Sequence, residues 1–123
     1  MKLIEVITAR RILMNHREDK IPAATAYKIM KFMKASETED AFYSEKLNAA
    51  IDKYCEKDEA GNPIVKANGI QIKKALLEEC NNVVLEIQNT EVEKPKFSLT
   101  LDELNLFQLS VQEVSDLDAF IEE

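Results

Sequence analysis

The chain holds one histidine, His16, and two cysteines, Cys55 and Cys80, and any nucleophilic or metal chemistry would have to be built around them. A tetrahedral cysteine/histidine metal site needs more soft ligands than one such chain supplies. Both cysteines fall on apolar helical faces, where a free thiol packs as a small hydrophobe, and nothing nearby in sequence would depress its pKa. His16 sits in the charged stretch NHREDK at a helix end, where an imidazole favours the helix dipole or faces solvent. The adjacent carboxylates Glu78-Glu79 and Glu122-Glu123 point in different directions on a helix and make poor acid/base partners. Gly61 and Gly69 are the only glycines, so no phosphate-cradling loop can form, and DEAGN matches only a fragment of a calcium-binding loop. These residues predict no enzyme, no cofactor and no metal.

The elements that would position these side chains read as helices. Leu3 to about Arg17 lacks Gly and Pro and carries Leu3, Val6, Ile7, Ile12, Leu13 and Met14, which predicts a first amphipathic helix. Pro22 suits the first position of a second helix. From Ala26 onward Ile29, Met33, Ser36, Asp40, Tyr43, Leu47, Ala50 and Tyr54 step by threes and fours, a seam that predicts one long helix to about Lys57. Ser36 and Glu39 offer a capping box that would split it. The stretch KDEAGNPIVKANG must hold the main turn, with a short strand near Ile64 to Lys66, followed by a third helix from Ile70 to about Asn89. TEVEKPKFSL then alternates as one or two short strands able to pair with the 64–66 segment. Thr100 with Glu103 and Ser110 with Glu113 are two further capping boxes, predicting two short closing helices. The expected fold is mainly α: an antiparallel helical bundle with one long central helix, a short β element and a C-terminal pair of short helices. One domain is expected over residues 1–123, with 1–99 as the body and 100–123 as an acidic segment packed on it.

The succession of a short first helix, KIPAATAYKIMKFMK opening a long one, the GNPIVKANG turn, the TEVE stretch and the ending LDAFIEE resembles a family of short proteins encoded by bacteriophages and prophages of Gram-positive bacteria. The polar ASETED stretch and Asn81-Asn82 depart from that pattern. The family is uncharacterised, so the resemblance implies a phage-related gene and transfers no catalytic residue.

Charge is distributed unevenly. Residues 1–36 hold eight Lys/Arg against three Asp/Glu, residues 37–96 hold eight against thirteen, and the last 27 hold seven acids and no base, which accounts for the entire net charge of −7. The closing helix is expected to lay Val114, Leu117, Phe120 and Ile121 on the body and to present Asp116, Asp118, Glu122 and Glu123 as a partner contact. Arg10, Arg11, Arg17, Lys28, Lys31 and Lys34 form a candidate basic face, though an acidic chain without interleaved aromatics is a poor nucleic-acid binder. No stretch reaches the length of a membrane span or a signal peptide, which places the chain in the cytoplasm, that of the host if phage-encoded. The reading is a non-enzymatic phage or prophage protein-interaction component, such as a virion assembly factor, with a protein partner and a homo-oligomer within reach. The alternative is an acidic host-directed inhibitor of a basic host protein, and the third is nucleic-acid binding through the basic face.

Overall fold

The computed structural model describes residues 1–67 and 69–122; Asn68 and Glu123 lie outside the described residues. Helix α1 (Leu3–Asn15) buries Leu3, Val6, Ala9, Ile12 and Leu13, the three-and-four spacing of one helical face. It is followed by α2 (Ala23–Ala35), whose N-cap is Pro22, and α3 (Glu37–Tyr54). The long helix expected from the seam is therefore two, parted at Ser36. Ser36 is fully buried, and its hydroxyl donates to Phe32 O at 2.7 Å while accepting from Arg10 Nη1 at 2.7 Å. A serine bonding back four residues competes with the helical ladder and bends it. Arg10 also donates to Met33 O at 2.6 Å, satisfying a carbonyl that the break would orphan.

Beyond α3 the chain forms a β arm. Strands β1 (Val65–Lys66) and β2 (Gly69–Ile70) pair antiparallel, with Val65 opposite Ile70. Bridges from Cys55 to Ile72 and Lys57 to Pro63 extend the ladder on either side. Asp58 closes the DEAGN turn by accepting from Ala60 N and Asn62 N, each at 3.0 Å, and Gly61 there takes a φ of +83° that a side chain would resist. Because Ile70 and Ile72 belong to this arm, the next helix starts later than its sequence pattern indicates: a 3₁₀ turn at Lys74–Leu76 leads into α4 (Leu77–Gln88). α4 packs on α3.

The return stretch pairs elsewhere than expected. Glu91 bridges Lys2, and β3 (Leu99–Thr100) lies parallel to β4 (Ile121–Glu122), the last described residues. Between them stand α5 (Leu101–Leu104) and α6 (Val111–Asp116), each opened by its expected capping box: Glu103 N donates to Thr100 Oγ1 at 3.2 Å and Glu113 N to Ser110 Oγ at 3.1 Å. α6 stops short of Ile121, giving way to a 3₁₀ turn at Asp118–Phe120. That takes Glu122 away from a helical C-terminus, where the macrodipole disfavours an acid, while Asp116 ends α6 and Asp118 follows its C-cap Leu117.

The core joins Val6, Ala9, Ile12 and Leu13 of α1 and Phe32 of α2 to Phe97, Leu99, Leu104, Leu117 and Phe120 of the closing stretch. Phe32 stacks on Phe97 at 4.5 Å between ring centroids and meets Phe120 edge-on at 5.3 Å. Leu47, a core residue by its place in the seam, is only half-buried. The molecule is mainly helical, and among the described residues no helix is long and apolar enough to cross a membrane.

Candidate functional site

His16 caps the C-terminus of α1 and is mostly buried. Its Nδ1 lies 2.9 Å from Asp19 Oδ2, its Nε2 lies 3.1 Å from Glu113 Oε2, and Phe107 meets the ring edge-on at 5.7 Å. Burial works against the imidazolium, but the bonds and charges of Asp19 and Glu113 outweigh it and raise the pKa above the ordinary 6.5. Glu113 is lowered, first by the Ser110 backbone N–H and then by His16. With both ring nitrogens engaged, the imidazole has no free nitrogen to offer a substrate. It acts as a clasp between the end of α1 and the start of α6. Of the two positions its sequence neighbourhood suggests, the helix dipole and solvent, the ring takes the first, at the C-cap of α1 and mostly out of solvent. Beside it a cavity of about 200 Å³ opens between α1 and α2, walled mainly by Leu13, Ile29, Met30, Met33 and Phe107.

The basic residues predicted as one face are split by the fold. Arg10 is turned inward to Met33, Ser36 and Asp40. Lys28 donates to Glu103 Oε1 at 2.6 Å, and Thr25 donates to Glu103 Oε2 at 2.9 Å. Lys28, against the cost of burial and helped by Thr100 and Thr25, holds the Glu103 carboxyl at about 2. Arg17 folds back on Met14 O, Lys31 lies over the Tyr27 ring, and Arg11 and Lys34 are exposed.

The acids predicted as a contact are also dispersed. Asp116 is half-buried and accepts from Gln112. Asp118 is exposed, Glu122 is exposed and accepts from Ser98, and Glu123 lies outside the described residues. Both cysteines are free and buried, and among the described residues no group of three or more His, Cys, Asp or Glu side chains is placed to hold a metal.

What sequence reading missed is the exposed apolar surface of the other half. Val65 is 68% exposed and its cross-strand neighbour Ile70 41%. Leu77 and Leu85 are 48% and 53% exposed on α4, while Cys80, Val83, Val84 and Ile87 take the packed face. Phe42 on α3 is also exposed. The signal was present in α4, whose large apolar residues occupy more of its circumference than one packed face can cover. Around them, α3 carries five acids against two bases, and α4 three acids against none. No protein-family model, curated protein or solved structure matches this chain.

Proposed function

We propose that the chain is a non-enzymatic protein-interaction component, of phage or prophage origin, whose contact surface is the α3–hairpin–α4 arm. The observation that carries this reading is the exposed cross-strand pair Val65 and Ile70, with Leu77 and Leu85 also exposed on α4. Exposed apolar residues of this size mark a surface that a partner covers; the strand pair stands in a stretch that holds Lys66, Lys73 and Lys74 and no acid, and the acids lie on α3 and α4. The antiparallel bundle is carried in this reading by α3 and α4, which pack on each other. The phage origin rests on the sequence resemblance alone.

The excess of acids on α3 and α4 favours a partner with a basic rim and opposes a second copy of the same arm, which would bring like charges together. That observation also supports the second reading, a host-directed inhibitor of a basic host protein. Nucleic-acid binding is weakened because Arg10 and Lys28 are engaged inside the molecule. Affinity capture from infected cells is the test. Capture lost in a Val65→Lys, Leu85→Lys double variant and kept in Asp118→Lys, Glu122→Lys supports the arm; the opposite pattern returns the contact to the acidic closing segment. Position of the gene among head and tail genes, or among early genes, separates assembly from inhibition.

A further inference from the structure

An acidic arm calls for a partner with a basic rim, and α1 and α2 carry such a surface on this same chain. The cavity between them is continued along α1 by a second hollow of about 210 Å³, and Met14 and Met33 wall both. The two make one groove. Ile7 and Arg11 line the second hollow and Leu13 and Arg17 the first; Ile7 and Leu13 stand six residues apart, about 9 Å along α1. Met14 and Met30 are exposed on its walls, and the flexible thioether suits a surface that must fit another apolar group. The acids of the groove are engaged within the chain, Asp40 with Arg10 and Asp19 with His16. Arg11 is exposed and, among the described residues, forms no ion pair, while Arg17 meets only its exposed neighbour Glu18, at 3.8 Å.

α4 offers the complement. Leu77, Asn81 and Leu85 follow at four-residue steps along one exposed stripe, and Glu78 and Glu86 stand exposed beside the two leucines. Those leucines are eight residues apart, about 12 Å along the helix. Lys73 and Lys74 precede α4, which itself holds no base. We propose that the partner of the arm is a second copy of this chain, Leu77 and Leu85 of one copy entering the α1–α2 groove of the next, with Glu78 and Glu86 set against Arg11 and Arg17. The inference rests on the reading of the arm as the contact surface and names what covers it. Like surfaces would set acid against acid or arginine against arginine, whereas unlike surfaces bring opposite charges together. A contact between two different surfaces is heterologous, leaving a free groove at one end and a free arm at the other, so copies add head to tail into a ring or a filament.

The test is sedimentation of the full chain beside two variants, Leu77→Lys with Leu85→Lys in the arm and Arg11→Glu with Met30→Glu in the groove, all at exposed positions. Wild type should form assemblies larger than 14.0 kDa by about 100 µM, and these should weaken about tenfold or more from ~0.01 to ~1 M salt, as the screening length falls from about 30 to about 3 Å. Each variant alone should stay monomeric. Mixed in equal amounts they should form a dimer and nothing larger, because one intact arm meets one intact groove and both outer surfaces are blocked. Should the lysines unfold α4, Glu78→Lys with Glu86→Lys tests the same face. A wild type that stays monomeric, assemblies that either variant leaves unchanged, or a mixture that forms no dimer or grows past one would each overturn the proposal. Arm-dependent capture from infected cells with a monomeric wild type overturns the second copy and leaves the arm reading standing. Assemblies and capture that both ignore substitutions in the arm overturn the two together.

Discussion

The two halves of this molecule spend similar apolar residues differently. In one half, α1, the end of α2 and the stretch from Phe97 to Ile121 close around a ten-residue buried cluster with three phenylalanine rings in contact. In the other, among the described residues, α3, the β arm and α4 bury Ala50, Tyr54, Cys55 and Cys80, and leave Val65, Ile70, Leu77 and Leu85 largely exposed. The closing segment, with its seven acids, is expected from its sequence to lay its apolar side chains on the body and its acids outward. It is the better buried of the two. Net charge describes the outward side of a segment and says little about whether its inward side is packed. The buried cluster is concentrated in the first half, but exposed large apolar residues occur in both, Tyr27, Leu101 and Val111 in the first and Val65, Leu77 and Leu85 in the second.

The largest expected effect that tests this contrast is Phe120→Ala. The side chain is 1% exposed, so its loss should cost about 3 to 5 kcal/mol in chemical denaturation. A cost below 1 would return the closing segment to the status of a loose tail. Glu103→Ala comes next, removing the carboxylate that accepts from the Thr100 backbone N–H, Lys28 and Thr25 together, with an expected loss of about 2 kcal/mol. Because the folded carboxyl is lowered to about 2 from an ordinary 4.5, its contribution is full above the ordinary value and is lost as pH falls toward about 2. The variant should therefore show a flatter acid limb than the wild type.

Leu47→Ala, at a half-buried position on the α3 seam, should cost about 1 kcal/mol, less than a core leucine, because only part of the side chain leaves water. A core-sized loss would show that the arm is held as firmly as the other half. The His16 clasp has a smaller effect and an opposite pH sign to Glu103. Its pKa is raised in the fold, so its contribution is complete below the ordinary 6.5 and disappears as pH rises through the folded value. Denaturation midpoints of wild type and His16→Gln should converge as pH is raised across neutrality; parallel profiles would show that the imidazole carries no charge in the clasp. Leu85→Lys should change stability by under about 0.5 kcal/mol while weakening capture. Hydrogen exchange offers the same comparison without mutation, with α4 amides opening locally and α1 amides only with the whole fold.

The sequence by itself determined which stretches are helical and where several of them begin. The spacing of Leu3, Val6, Ile12 and Leu13 marks the buried face of α1, and Thr100-x-x-Glu103 and Ser110-x-x-Glu113 mark the starts of α5 and α6, because these signals act over three or four residues. At Ser36-x-x-Glu39 the same pattern marks the start of α3 but the box's hydrogen bonds do not form, the clearest case of tertiary control. Thr100 and Ser110 follow non-helical chain and adopt the extended ψ of 164° that a capping hydroxyl needs, whereas Ser36 follows α2, has a ψ of 10°, and meets Arg10 of α1. Nothing within a few residues of Ser36 announces that guanidinium. Long-range pairing likewise decided that Glu113 would reach His16, that Leu99–Thr100 would lie beside Ile121–Glu122, and that Leu85 would face water although its neighbour Val84 is half-buried. Local periodicity supplies candidate faces, but an apolar face is buried only where another element arrives to cover it, and that arrival is a property of the whole chain.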